Sequence, residues 1–143
     1  MRVLHVVKTT DGGPWAARQA IELAKLGVEV HVALPRAEGR IVPLWQKAGA
    51  VMHVVDMDLR VRRPWDAARR LPAIRRLVED VRPDLIHSHF VSTTLMLRAA
   101  LGPRHPTPRV FQVAGPLHLE HAAYRLAEIA SAGPRDVWIA SSR

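Results

Sequence analysis

Residues 2–15, Arg-Val-Leu-His-Val-Val-Lys-Thr-Thr-Asp-Gly-Gly-Pro-Trp, decide the fold. The first seven are an almost unbroken apolar run, the pattern of a central parallel strand covered on both faces. Gly12 and Gly13 then give a turn without side chains. Pro14 is placed to be the first residue of a helix, because it lacks only an N–H that the first turn leaves unbonded anyway. Strand, glycine turn and helix start together make a place for an anion, since first-turn amides have no helical acceptor and carry the positive end of the peptide dipoles. A tight turn that binds nothing needs the same glycines, so the motif alone leaves both readings open.

Outward from this stretch the chain alternates strand and helix. Ala17, Ala20, Ile21 and Ala24 recur at helical spacing until Gly27, and Val28 to Leu34 predicts a second strand stopped by Pro35. A short helix over 42–48, a third strand over 51–55 and a loop over 56–65 follow. Asp66 is a candidate cap for a helix over 66–82, whose stripe is Leu71, Ile74, Leu77, Val78 and Val81. Pro72 in that helix predicts a kink or a later start. Asp84 to Phe90 predicts a fourth strand, Ser92 caps a helix to Gly102, residues 109–113 form a fifth strand, a helix runs over 119–130, and 137–140 form a sixth strand. About six short strands separated by helices require an α/β parallel sheet wound on both faces, with ligands beyond the carboxyl ends of the strands.

The chain has 143 residues, the length of one domain, with 48% hydrophobic and 24% charged residues, so it is expected to fold around its own core. It has no cysteine, which excludes disulfides and thiolate chemistry and fits a cytoplasmic protein. No signal peptide and no run long enough to span a membrane are evident. The formal charge of +8 favours anionic partners, and eight of the arginines fall between residues 60 and 82. Arg69 and Arg76 face away from the apolar stripe, as a solvated face would, or as a surface that rests on anionic headgroups or an acidic acceptor. Nucleic acid is not expected: the only tyrosine, Tyr124, lies on a helix, and no aromatic residues interleave with the basic ones.

The glycine turn is neither the dinucleotide fingerprint, since Pro35-Arg36 follows strand two in place of an acidic residue, nor a Walker A loop. His87 and His89 flank Ser88, so period two puts both on one face of the sheet. No metal is expected there, because the nearest further histidines, His118 and His121, lie on another element with only Glu120 as a nearby carboxylate. His118 and Glu120 are candidates for binding a polar substrate or, with Glu120 or His121, moving a proton, and a capping or surface role fits them at least as well.

The ordered set Arg2-Val-Leu-His-Val-Val, Gly12-Gly13 before an alanine-rich helix, Gly27-Val-Glu-Val-His-Val, Arg82-Pro-Asp-Leu-Ile-His-Ser-His and Pro108-Arg-Val-Phe-Gln-Val-Ala-Gly-Pro resembles the amino-terminal half of a family 4 glycosyltransferase. The resemblance implies a three-layer Rossmann-like domain, one half of a GT-B enzyme. Such an enzyme transfers a sugar from a nucleotide-sugar donor with retention of configuration and without a metal or other cofactor. It implies that Gly12 and Gly13 approach the donor diphosphate or sugar and that His87, His89 and Gly115 line the cleft, with Glu120 nearby. Where relatives carry a histidine after strand five this chain has Ala114. His118 is therefore the substitute expected to act in catalysis, with His89 beside it.

On this reading residues 1–143 are a single acceptor-side domain, truncated, without the carboxyl-terminal donor-binding domain, and inactive alone. Its partner would be that missing domain or a separate donor-binding chain, and its acceptor a sugar, a lipid-linked molecule or a small molecule. It would be cytoplasmic, with a possible peripheral position at the inner face of the membrane. Two rivals remain: a stand-alone domain binding a phosphorylated metabolite, and an NADP-dependent reductase holding a 2′-phosphate on Arg36.

Overall fold

The computed structural model describes residues 1–59, 64–113 and 122–140. In it the chain forms β1 (Arg2–Val6), α1 (Pro14–Lys25), β2 (Glu29–Leu34), α2 (Val42–Lys47), β3 (Val51–Val54), α3 (Pro64–Val81), β4 (Leu85–Ser88), α4 (Val91–Leu101), β5 (Arg109–Val113), α5 (Ala122–Ser131) and β6 (Asp136–Ala140). The six strands make one sheet in the order β3-β2-β1-β4-β5-β6, every pair parallel. The expected α/β sheet of six strands is therefore present, with the strand order of a Rossmann-like domain.

Each face of the sheet has its own core, because successive side chains of a strand point to opposite faces. Leu4, Val6 and Ile86 pack against Ile74, Leu77 and Val78 of α3 and Met96 and Leu97 of α4. Val7, Val30, Val32 and Leu34 pack on the other face against Ala16, Ala17 and Ala20 of α1 and Val42 and Trp45 of α2. Three alanines on the buried face of α1 let that helix lie close to the sheet. Covering on both faces explains why β1 reads as a continuous apolar run.

Beyond β4, no helix among the described residues covers the α1 face. Val137 and Ile139 of β6, which register with Val110 and Gln112 of β5, are 54% and 43% exposed on that side. On the opposite side β6 is pinned by a buried ionic cluster. Asp136 accepts from Arg109 Nε at 2.6 Å and Nη2 at 3.1 Å, lies 3.2 Å from Arg98 Nε on α4, and also receives the Gly133 amide at 2.7 Å. Arg98 donates to the Glu128 carbonyl at 2.9 Å and lies over the Trp138 ring. α4, β5, α5 and β6 thus share one charge cluster.

Three local expectations are corrected. α3 begins at Pro64, so Asp66 sits inside its first turn and is not the cap. The helix runs unbroken through Pro72, which lies on its solvent side, where the carbonyl deprived of its partner can meet water. α4 begins at Val91 with Phe90 as its cap residue. Thr93 and Thr94 donate back to the Phe90 carbonyl at 2.8 and 2.9 Å, whereas Ser92 is buried without a hydroxyl partner among the described residues.

Candidate functional site

The strand order reverses between β1 and β4, so the crevice at their carboxyl ends is the place where a sheet of this topology admits a ligand. The loop after β1 and the start of α4 meet there. Trp15 and Phe90 have ring centroids 5.9 Å apart, and the Lys8 ammonium lies 5.2 Å from the Phe90 ring centre.

Gly13 is the cap residue of α1 and is left-handed, with φ 73° and ψ 43°. A Cβ there would stand 3.3 Å from Phe90 and 3.4 Å from Trp15, so the left-handed conformation favours glycine and a side chain would also crowd both rings. Pro14 follows as the first helical residue. No side chain caps this helix, and no acidic residue occupies its first turn. Among the described residues, the positive end of α1 is therefore left without a side-chain cap or a first-turn carboxylate.

The rest of the turn is locked by the loop after β2. Asp11 accepts from Arg36 Nη2 at 2.7 Å and from the Arg40 amide at 3.0 Å, and Arg40 Nη2 donates to the Asp11 carbonyl at 2.6 Å. The Arg40 amide, aided by the charges of Arg36 and Arg40, holds the Asp11 carboxyl below its ordinary range. The Ile41 amide donates to the Thr10 carbonyl at 2.9 Å. Gly39 lies so close to Thr10 that a Cβ would overlap the Thr10 backbone. Arg36 also reaches Thr10 Oγ1 at 3.1 Å. The guanidinium that a reductase would turn toward a 2′-phosphate is thus engaged with the glycine turn.

Beside the turn lies a cleft of about 290 Å³ lined by Lys8, Thr9, Thr10, Pro35, Arg36, Asp56 and Asp58, the residues that follow β1, β2 and β3. Asp56 pairs with Arg70 of α3 at 3.1 Å, and Arg70 Nη1 donates to the Asp58 carbonyl at 2.7 Å. A larger cleft of about 410 Å³ opens at the other end of the sheet, near Arg75, Arg82 and His105. It lies at the amino ends of the strands, away from the glycine turn.

His87 and His89 do share a face, with ring centroids 4.2 Å apart. Register adds a third imidazole that sequence reasoning missed: His5 of β1 stands opposite His87 of β4. His5 Nδ1 and His89 Nε2 are 2.9 Å apart and hydrogen-bonded, and the His5 ring packs 5.4 Å from Trp45. All three rings are buried. Burial lowers His5 to about 3, with His87 adding to the effect, and lowers His87 to about 4. Burial and the two neighbouring histidines push His89 well below the ordinary imidazole range. The cluster is therefore neutral at physiological pH.

Arg69 and Arg76 are exposed on α3. His118, Glu120 and Gly115 lie outside the described residues, as do Arg60, Arg62 and Arg63. No helix among the described residues is long and apolar enough to cross a membrane.

A parallel sheet of order 3-2-1-4-5-6 with a left-handed glycine turn at its reversal point defines the class, a Rossmann-like domain with a ligand crevice at its carboxyl edge. The sequence profile of Glycosyltransferase Family 4 matches residues 15–143, and the chain belongs to that family, as its amino-terminal domain. The match begins just after Gly12 and Gly13. Among solved structures, MurG of Acinetobacter baumannii superposes with a TM-score of 0.58 at 15% identity, over 80% of this chain and 36% of that one. A putative UDP-N-acetylglucosamine 2-epimerase of Listeria monocytogenes does so with a TM-score of 0.57 at 12% identity, over 92% of this chain and 37% of that one. The chain thus spans little more than a third of the length of either, and at these identities the likeness is one of fold. No curated protein matches the sequence.

Proposed function

We propose that this domain forms the acceptor side of a retaining glycosyltransferase that moves a sugar from a nucleotide-sugar donor without a metal or other cofactor in the transfer step. The observation that carries the reading is the start of α1. A left-handed Gly13, a proline with no N–H and, among the described residues, no side-chain cap and no first-turn carboxylate mark the helix start at the sheet's reversal point. A donor diphosphate supplies the charge that such a site lacks. Family membership supports sugar transfer over other phosphate chemistry.

On this reading Gly12 and Gly13 face the diphosphate through their backbone, the cleft between Lys8 and Asp58 takes the acceptor, and His118 and Glu120 complete the site from the segment after β5. His89 supports the turn from beneath. Nucleotide recognition belongs to a second domain or chain, so this chain alone turns over no donor. Arg69 and Arg76 offer a cationic surface to anionic headgroups at the inner face of a membrane, suited to a lipid-linked acceptor.

The test is a titration of the ¹⁵N-labelled chain with nucleotide-sugars, sugar phosphates and inorganic pyrophosphate. Weak binding is expected, with the largest amide shifts at Gly12, Gly13 and Trp15. Tight binding of a nucleotide-sugar or sugar phosphate by this chain alone would favour a stand-alone binding domain and overturn the acceptor-side reading.

A further inference from the structure

We propose that His5, His87 and His89 form a three-histidine site for a borderline transition metal ion, Zn²⁺ or Co²⁺ in kind, which ties β1 to β4 beneath the glycine turn. The proposal is independent of the sugar-transfer reading, since it concerns the interior of the sheet and not the donor or acceptor.

The first support is geometric. One ring nitrogen from each of the three residues lies within 4.8 Å of the other two. Tetrahedral bonds of about 2.0–2.1 Å to imidazole place ligand nitrogens roughly 3.3 Å apart. The His5 Nδ1 to His89 Nε2 distance of 2.9 Å therefore needs to open by only a few tenths of an ångström to admit an ion, while the proton between the two nitrogens moves to the far nitrogen of its own ring. Adjacent parallel strands fix this arrangement, because His5 and His87 are register partners and His89 is two residues further along the same face.

The second support is an unmet valence. His87 Nε2 is buried and has no hydrogen-bond partner among the described residues, so it is free to be the third ligand. An apolar interior rarely leaves such a nitrogen orphaned. A hydrogen bond between two of the rings uses one nitrogen on each and leaves His87 out of the pair.

The third is chemical. Imidazole binds metals as the neutral ring, and all three rings are buried, an environment that disfavours the charged form. The three-ligand cluster contains no carboxylate, so calcium and magnesium are disfavoured, and three imidazoles suit zinc, cobalt, nickel or copper. The Gln112 side chain hydrogen-bonds His89 and so helps to orient that ring.

The test uses the full chain, free of any histidine tag and stripped with a chelator. It is then refolded with Co²⁺ or Zn²⁺ present, so that access to a closed site is not limiting. The expected result is one ion per chain after gel filtration, with the visible absorption of tetrahedral Co²⁺ displaced by Zn²⁺. His89→Gln and His5→Asn should each lower affinity at least tenfold, while His53→Gln, which alters the other histidine pair at His31, should not. Should the cluster variants fail to fold, metal-edge absorption on the wild-type chain decides: three imidazole nitrogens at about 2.0–2.1 Å are expected. No stoichiometric binding, a shell with fewer than three imidazoles, or loss of binding in His53→Gln would overturn the proposal.

Discussion

Gly12 and Gly13 stand side by side in the turn, yet the chain needs them unequally. Gly13 is left-handed and pressed against Phe90 and Trp15, whereas a Cβ on Gly12 would meet only Thr9 at 3.5 Å, an ordinary contact. Gly13→Ala should therefore cost about 1–2 kcal/mol of stability, while Gly12→Ala should stay within about 0.5 kcal/mol. Urea denaturation of the two variants beside the wild type measures both, and equal midpoints would refute the distinction. The requirement at Gly13 was readable in the sequence because Gly-Pro at a helix start is a local signal. His5 was not. His87 and His89 announce their shared face by a spacing of two, but His5 joins them only through the pairing of β1 with β4, more than eighty residues apart, which no local pattern encodes.

At the level of elements, Asp136 is the carboxylate that joins β6 to both α4 and β5. Asp136 is shared by Arg98 and Arg109, and the side chains of all three are at most 6% exposed. Asp136→Asn removes the charge shared by two buried guanidiniums and leaves Arg98 with Glu128 as its nearby negative charge and Arg109 without its carboxylate partner, a loss of about 3–5 kcal/mol. Equilibrium denaturation of that variant checks it, and a loss below about 1 kcal/mol would mean that the cluster relaxes without cost. Sequence patterning placed β6 from its apolar residues and passed over the aspartate that opens it. The same local bias misplaced the start of α3. Pro14 was readable as a first helical residue, and Pro64 carries the same chemistry, but the irregular segment before it has no period to mark a boundary. The central strands were legible because glycines and prolines punctuate their apolar runs.

For the molecule as a whole, acid should act through charge, through the buried His5, His87 and His89, whose lowered values make the unfolded chain take up protons first below pH 6.5, and through one ladder across the sheet. Arg2 Nε donates to Glu29 Oε1 at 2.8 Å, the same oxygen lies 2.9 Å from His31 Nε2, and His31 Nδ1 lies 2.9 Å from His53 Nε2. The Arg2 and His31 hydrogen bonds lower Glu29 to about 2, so its stabilising contribution is complete above the ordinary value of 4.5 and is lost as pH falls toward 2. Burial, with His31 beside it, lowers His53, so the unfolded chain takes up that proton first and stability begins to fall below pH 6.5. A net charge of +8 grows as carboxylates are neutralised and adds repulsion in the same direction. The melting temperature should decline steadily from pH 7 to pH 3, and Glu29→Gln should flatten the part below pH 4.5. An unchanged profile in that variant would remove Glu29 from the account.

The close approach of Gly39 to Thr10 has a consequence for evolution and for engineering. Two loops that touch backbone to backbone cannot diversify separately: a longer or bulkier residue in either displaces the other, and with it the Asp11 contacts that set the glycine turn. Loops 9–13 and 35–41 therefore form one heritable cassette. Anyone transplanting one of them from a relative to alter what the cleft accepts must move both.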